Sequence, residues 1–574
     1  MTSSRIERLA FTPDEVATWA ALDSKHSNWP VVYTLDDDRR VYVGQTAWAR
    51  SRLRQHLANE QKRSLARARV VIDDEFNQSV CLDLESHLIA WFAGDGQLEV
   101  INRNEGVTNA DYFDRERYRD AFRAIFDALR AEGLFTQSIE GIQNQDLFKL
   151  SPFKALTDDQ GVAVLEILEG LFHHLEAGTA STSVIEGGPG TGKTIVAIFL
   201  MKLLADIKAT GPDDEVDGDS LFSDFFLEGY REQLDGFRMA LVIPQQSLRA
   251  SVRRVFRKTP SLAASMVLTP FEVGASDEPF DLLIVDEAHR LGQRAAQAAG
   301  PLNRKFVDIN VRLFGEDDPK LTQLDWIRAR STHQLLLVDA QQSIRPADLP
   351  RAAVDSLITA AERDHAHYRL TSQMRVRAGE DYIEYARALV SDEPPSARRD
   401  FGDYELLLFD DFAAMHDAIR AKDAAEGLAR CVAGYAWPWP SKTDPSAFDI
   451  ELDGCKLRWN VTAVDWIDSA GSLEEMGSIH TVQGYDLNYC GVVIGPDLSL
   501  DPRTNRLRFN RSSYFDARGK ANNNILGIRY SDDDLLAYVQ NIYGVLLTRG
   551  IRGTYLYVCD PALRERLRDC LAGR

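Results

Sequence analysis

The sequence predicts an α/β protein whose larger part consists of two parallel-sheet lobes, preceded by a small α+β segment. Three observations predict it. An apolar run at residues 182–185 leads into the loop Gly187, Gly188, Pro189, Gly190, Thr191, Gly192, Lys193, Thr194, after which Ile195, Ile198, Phe199 and Leu203 recur at helical spacing. Further runs at 240–244, 281–285 and 334–338 are almost continuously apolar, as strands covered on both faces must be, and each stops at polar residues. The pattern returns at 491–494 and 555–558, which requires a second sheet.

The loop has the spacing G-x-x-x-x-G-K-T in the strand–loop–helix setting that phosphate binding needs. Glycines let the backbone curl and aim its N–H groups inward, and the helix that follows adds partial positive charge. Lys193 is expected to reach the β- and γ-phosphates of a nucleotide, and Thr194 to give its hydroxyl to Mg²⁺. The strand at 281–285 ends in Asp286 and Glu287, at the tip where ligands bind in such sheets. Asp286 is expected to hold Mg²⁺ through its water shell, and Glu287 to polarise the attacking water.

At 574 residues the chain has room for about three or four domains. A hydrophobic fraction of 44% and a charged fraction of 27% are those of a globular protein and exclude a disordered or fibrous chain. No apolar run reaches the length of a membrane span, and the opening residues carry no hydrophobic signal core, so neither membrane insertion nor export is expected. The six cysteines, Cys81, Cys431, Cys455, Cys490, Cys559 and Cys570, form no C-x-x-C pair. That argues against a zinc or disulfide framework and for a reducing cytoplasm. A net charge of −21 does not favour a polyanionic partner globally, but nucleic acid is gripped by local stripes. One such stripe runs through Arg39, Arg40, Arg50, Arg52, Arg54, Lys62, Arg63, Arg67 and Arg69, with Glu60 its only acid.

Within that stretch, residues 31–35 and 40–44 are β-like, and Asp36, Asp37 and Asp38 join them as a hairpin. A helix is expected over 48–57, with Arg52 and His56 four apart on one face. Another is expected over 80–92, with the apolar stripe Cys81, Leu88, Ile89 and Phe92. Glu85 falls inside that stripe, where an ionised carboxylate is costly unless paired or metal-bound. The ordered set resembles the GIY-YIG nuclease family. Tyr33 closes the first strand, Tyr42 and Gly44 supply Tyr-x-Gly on the second, Arg52 and His56 follow on a helix, Glu85 lies on a later one, and Asn102 or Asn104 comes after it. The first motif reads Val31, Val32, Tyr33 in place of Gly-Ile-Tyr. The resemblance implies metal-assisted phosphodiester hydrolysis. Glu85 would hold Mg²⁺, a tyrosine (Tyr33 ahead of Tyr42) would help deprotonate or orient the attacking water, and Arg52 and His56 would meet the phosphate.

Downstream, the motifs resemble those of superfamily 1 helicases, in order. Gln160 precedes the phosphate loop where that family reads adenine, and residues 245–251 resemble the segment that touches single-stranded nucleic acid. Asp339 and Gln342 match the motif that couples the γ-phosphate to nucleic acid, with Val338 in place of the usual glycine. Arg375, closing the segment 368–375, and Arg549, within 541–554, match arginines that reach the γ-phosphate, and Gly484 belongs to the implied nucleotide-binding set in 479–486. The wording around 480–498 and 541–560 resembles the Schlafen-type helicase domain of bacterial proteins, over roughly residues 180–565. It implies two RecA-like lobes with ATP between them. Residues 211–235, 393–396, 437–445 and 503–534 are expected insertions, in which Trp437 and Trp439 either stack on bases or cover a joint.

The expected division is a nuclease-like domain at 1–110, a helical connector at 111–150, and lobes at 151–348 and 349–574. The expected function is an ATP-driven motor feeding nucleic acid, DNA rather than RNA, to an N-terminal cutter. The rivals are a motor whose N-terminal domain only binds, and an ATP-gated switch that senses nucleic acid or a protein partner.

Overall fold

The computed structural model describes residues 4–103, 112–211, 221–227, 229–295, 300–339, 342–374, 376, 378–462, 466–482 and 486–572. Contacts divide the chain into two units. One comprises Met1–Glu166, Ile195–Gly236 and Ser251–Met266, the other Ile167–Thr194, Phe237–Ala250 and Val267–Arg574.

The first unit holds a five-stranded sheet of β1 (Arg5–Ala10), β2 (Val31–Asp36), β3 (Arg40–Thr46), β4 (Arg67–Ile72) and β5 (Glu99–Val100), in the order β1-β4-β2-β3-β5. Every pair is antiparallel except β3 with β5. The expected hairpin forms with Tyr33 opposite Gly44. Side chains alternate across the sheet. Val31, Leu35, Val70 and Ile72 pack with Val16 and Trp19 of α1 (Pro13–Ala20) and Leu53 of α2 (Ala49–Ala58). Val32, Val41, Val43 and Val71 pack on the other face with Cys81, Leu84, Leu88 and Phe92 of α3 (Gln78–Asp95). Asn77 caps α3 by accepting from the Val80 amide, and Gly96, in left-handed backbone at φ +66, ends it. The segment expected as a connector contains α4 (Arg119–Ala131), whose Phe122, Ile125, Phe126 and Leu129 join the α3 core.

The first lobe of the second unit is a six-stranded, wholly parallel sheet of β6 (Ser181–Gly187), β7 (Met239–Val242), β8 (Val267–Leu268), β9 (Phe280–Val285), β10 (Ser331–Val338) and β11 (His367–Leu370). Their order is β11-β6-β10-β9-β7-β8. The lobe boundary expected at 348 falls inside this sheet, because β11 lies beyond it in sequence and pairs with β6. His367, Tyr368, Arg369 and Leu370 form an edge strand with one buried residue, so they lack the apolar continuity of a central strand.

The second lobe contains β12 (Glu405–Phe409), β13 (Ala429–Ala433), β14 (Ile450–Leu452), β15 (Cys455–Trp459), β16 (Glu475–Ser478), β17 (Leu487–Ile494), β18 (Leu498–Asp501), β19 (Arg506–Phe509) and β20 (Gly550–Val558). Seven of these form a sheet in the order β12-β20-β17-β13-β16-β15-β14, parallel apart from the β14–β15 hairpin. β18 and β19 pair separately, giving part of the expected 503–534 excursion a structure of its own. Trp437 and Trp439 are half-buried against the core that contains Trp459 and Tyr489. Among the described residues no helix is long and apolar enough to cross a membrane.

Behind β17, a buried Asp497 accepts from the Tyr543 hydroxyl at 2.5 Å, while its Oδ2 is buried without a hydrogen bond. Burial pushes this carboxyl up to about 7. An acid whose folded pKa exceeds its unfolded value weakens the fold as pH rises through the gap between them, here from about 4 to about 7. Asp497→Asn is therefore expected to raise stability at pH 8 by up to about 4 kcal/mol and to change little at pH 4. Thermal denaturation of both proteins across that range checks it.

Candidate functional sites

The phosphate-loop candidate sits between β6 and the helix Lys193–Ala209. Gly190 and Gly192 have φ of +82 and +79, a region that side chains strain to enter. Gly187 is required for another reason: a Cβ there would stand 2.4 Å from Thr191 Oγ1. The Thr191 hydroxyl donates to the Gly188 carbonyl at 3.0 Å. Lys193 is buried, its ammonium donating to the carbonyls of Gly187 at 2.7 Å and Gly188 at 3.0 Å. Thr194 Oγ1 donates to Asp286 Oδ2 at 2.7 Å, so strand tip and loop meet.

Asp286 and Glu287 form a strained, electrostatically opposed pair. Burial and the neighbouring Glu287 carboxylate push Asp286 up to about 6. Burial acts on Glu287 in the same sense, but His289 and Lys193 outweigh it and hold Glu287 below the usual carboxylate range. Glu287 lies in left-handed backbone at φ +51, which costs about 1–3 kcal/mol for a residue other than glycine. The Asp339 amide donates to His289 Nδ1 at 3.1 Å. Nε2 stands 3.1 Å from Glu287 Oε2, close but without hydrogen-bond geometry. Asp339 Oδ2 accepts from Gln342 Nε2 at 2.8 Å and stands 3.9 Å from an Arg387 nitrogen.

A divalent cation fits this donor set. Thr194 offers a hydroxyl oxygen and Asp286 a carboxylate whose burial a cation would relieve. Among the described residues no three or more His, Cys, Asp or Glu converge. A Mg²⁺ that takes most of its ligands from phosphate oxygens and water needs no such cluster.

Sequence reasoning passed over three residues here. His289 lies two positions past Glu287, so its signal was present in the motif. Gln373 and Met374 brace the loop, the Gln373 amide donating to the Pro189 carbonyl at 2.7 Å and the Met374 N–H to the Gly190 carbonyl at 2.9 Å. They immediately precede Arg375, which lies outside the described residues, as does Gly484. Arg549 is buried, its charge acts on the Cys490 thiol, and its carbonyl accepts from the Leu487 amide. Gln160, in the first unit, is buried and its Oε1 accepts from the Thr157 amide at 3.1 Å.

The first unit contains the second candidate site. The Tyr33 hydroxyl and His56 Nε2 are 2.7 Å apart, both side chains buried. Burial holds the Tyr33 phenol well above its usual range, and burial with Lys62 and Arg52 pushes His56 down to about 2. Tyr33 is therefore the donor and neutral His56 the acceptor. Tyr42 completes the ring cluster, 6.3 Å from Tyr33 and 5.1 Å from His56 between centroids. Arg52 and Glu85 both act electrostatically on Tyr33. Glu85 is half-buried rather than inside the core stripe, because the buried line of α3 runs through Cys81, Leu84 and Leu88 and leaves Glu85 at its margin. Asn102 binds the backbone of β3, accepting from the Val43 amide at 3.0 Å and donating to its carbonyl at 2.7 Å. Lys62, read in the sequence as part of the basic stripe and not of the site, stands 3.8 Å over the Tyr42 ring.

The Tyr-x-Gly spacing has a steric cause. A Cβ at Gly44 would lie 2.4 Å from the Tyr33 hydroxyl. Gly44→Ala is expected to displace the Tyr33 ring and destabilise the first unit by about 1–3 kcal/mol. Faster hydrogen exchange across β2 and β3 is the readout; unchanged protection there would contradict the steric account.

Residues 180–560 match the family model described as Schlafen group 3, DNA/RNA helicase domain. Uncharacterized protein YPL245W of Saccharomyces cerevisiae is 25% identical over 413 residues, spanning 67% of this chain and 83% of the yeast protein. Among solved structures, the arterivirus nonstructural protein 10 helicase is 11% identical with a TM-score of 0.26, the match covering 68% of this chain and 61% of the viral one. Pif1 helicase from Bacteroides, in complex with ADP-AlF3 and ssDNA, is 10% identical with a TM-score of 0.24, covering 68% and 91%. Similarity at those TM-scores has no bearing on the arrangement of this chain. The family match begins at residue 180, so the N-terminal resemblance stands on its own residues.

Proposed function

The chain belongs to the Schlafen group 3 DNA/RNA helicase-domain family, and from that premise we propose an ATP-dependent nucleic-acid translocase or helicase coupled to a Mg²⁺-dependent endonuclease acting on DNA. The observation that carries the motor half is the bond from Thr194 to Asp286 beside the Lys193 ammonium. Lys193 exchanges its two loop carbonyls for phosphate oxygens, and the glycine-formed loop presents its N–H groups to the same phosphates. Glu287, held ionised by His289, orients and polarises the attacking water. Bound Mg²⁺ supplies charge neutralisation between the phosphates, and Thr194 and Asp286 are the residues that hold it. Arg375 and Arg549 are the arginines proposed for the γ-phosphate, and Gln160 and Gly484 the further nucleotide contacts.

Support for the cutter is the convergence of Tyr33, Tyr42, Arg52, His56 and Glu85. His56 takes the hydrogen bond of Tyr33, which fixes the phenol oxygen for orienting water; Arg52 meets the phosphate, and Glu85 holds the metal. Asn102 secures β3 beneath them. A motor joined to a cutter suits destruction of foreign DNA, such as that of a phage, in a reducing cytoplasm.

Labelled single- and double-stranded DNA and RNA, incubated with Mg²⁺ in the presence and absence of ATP, test both halves. Metal-dependent cutting of DNA and ATP turnover raised by nucleic acid are expected. Turnover indifferent to nucleic acid identifies an ATP-gated switch instead, and turnover without cutting identifies a motor whose N-terminal unit only binds.

A further inference from the structure

The cations of residues 39–69 divide into two populations. Arg40, Arg63, Arg67 and Arg69 are engaged by Asp37, Glu60, Asp36, Asp38 and Glu132. On α2 the situation differs. Its sequence, ARSRLRQHLA, contains no acid, and Arg50 and Arg54 are exposed and have no ion pair among the described residues. They stand four apart and so share one flank of the helix.

At the start of α2, Trp48 leaves 59% of its surface in solvent. Its backbone is nonetheless fixed. Its amide donates to Thr46 Oγ1 at 2.9 Å, and its carbonyl accepts from the Arg52 amide at 3.0 Å. With Ala49, Leu53 and His56 facing the core, helical spacing puts Arg52, which acts electrostatically on Tyr33, on one flank and Arg50 and Arg54 on the other, while Trp48 caps the helix one turn before Arg52. A flat indole stacks on any unpaired base, and guanidinium groups take phosphates. Duplex bases are already stacked, so the indole has use only for a single strand.

We infer that the exposed surface of α2 is a landing site for single-stranded nucleic acid, with Trp48 stacking one base beside the candidate cutting site and Arg50 and Arg54 holding the phosphates that lead away from it. The inference rests on reading the first unit as one that handles nucleic acid, but it requires no cutting.

The test uses the full chain, a bromodeoxyuridine-substituted oligonucleotide, EDTA and no ATP, with ultraviolet crosslinking and peptide mapping. A crosslink in the tryptic peptide 41–50, which holds Trp48, is expected. Trp48→Ala, a surface change that leaves the core intact, is expected to weaken single-strand binding about tenfold and duplex binding by less than about twofold, with Trp48→Phe restoring most of it. Replacing Arg50 and Arg54 together by alanine is expected to weaken both substrates and to flatten the single-strand salt slope by about 1.4. Crosslinks confined to other peptides, or an equal loss on single and double strands in Trp48→Ala, overturn the inference. Failure of the nuclease reading is distinguishable, because it leaves the Trp48 crosslink in place and shows only as an absence of cutting when Mg²⁺ is restored.

Discussion

Lys193→Ala is expected to reduce ATP turnover by about 10²–10³-fold or more, the scale set by removing one preorganised charge from a developing anion. The side chain is buried and its ammonium already meets the loop carbonyls of Gly187 and Gly188, so it stands where phosphate oxygens would replace those partners. Arginine is no substitute: its planar fork is wider than the ammonium that fits between two carbonyls. Glu287→Gln separates binding from hydrolysis. It keeps the shape and the His289 neighbour but loses the charge, so nucleotide binding should persist while turnover falls. Nucleotide affinity read by equilibrium binding and turnover read by phosphate release distinguish the two variants. Turnover by Lys193→Ala within a few-fold of the parent would leave the loop without its proposed role.

The strands on both sides of this site were legible for a reason that also marks the limit. β9 and β10 carry the apolar runs 282–285 and 335–338, each ending at an aspartate, a pattern that burial on both faces imposes. β1 mixes Arg5, Glu7 and Arg8 into an edge, and β11 offers four residues with one buried, so neither carries that pattern. Sheet order was not readable at all, because β6 pairs with β10 and β11 across more than a hundred residues and no local signal specifies such partners. Within the sites, Thr194 and Asp286 were readable because the chemistry demands those types at those positions. Lys62 was not, since a cation over a tyrosine ring depends on the return of the chain after α2. Glu85 shows a subtler failure. Counting helical spacing from Cys81 and Leu88 placed it in the core, whereas the face is set by what the sheet packs against, and Leu84 took that place.

That marginal position makes Glu85 the sharper test of the N-terminal unit. Glu85→Ala is expected to abolish DNA cutting, by about 10³-fold or more, since it removes the carboxylate proposed to hold the metal. Stability should change by no more than about 0.5–1 kcal/mol, because a half-buried side chain at the edge of α3 leaves no cavity behind. Nucleic-acid-stimulated ATP turnover should be untouched, as the substitution is made in the unit that does not contain Lys193, Thr194 or Asp286. Tyr33→Phe is the complementary change. It keeps the ring packing but removes the donor to His56, leaving a buried Nε2 unpaired at a cost of about 1–3 kcal/mol. It should therefore impair cutting and also lower the melting temperature of the first unit, whereas Glu85→Ala should do only the former. Cutting assays with Mg²⁺, scanning calorimetry and phosphate release on the three proteins give the pattern. If Glu85→Ala still cuts at the parental rate, the ring cluster serves packing alone, and any nuclease activity of the preparation comes from elsewhere.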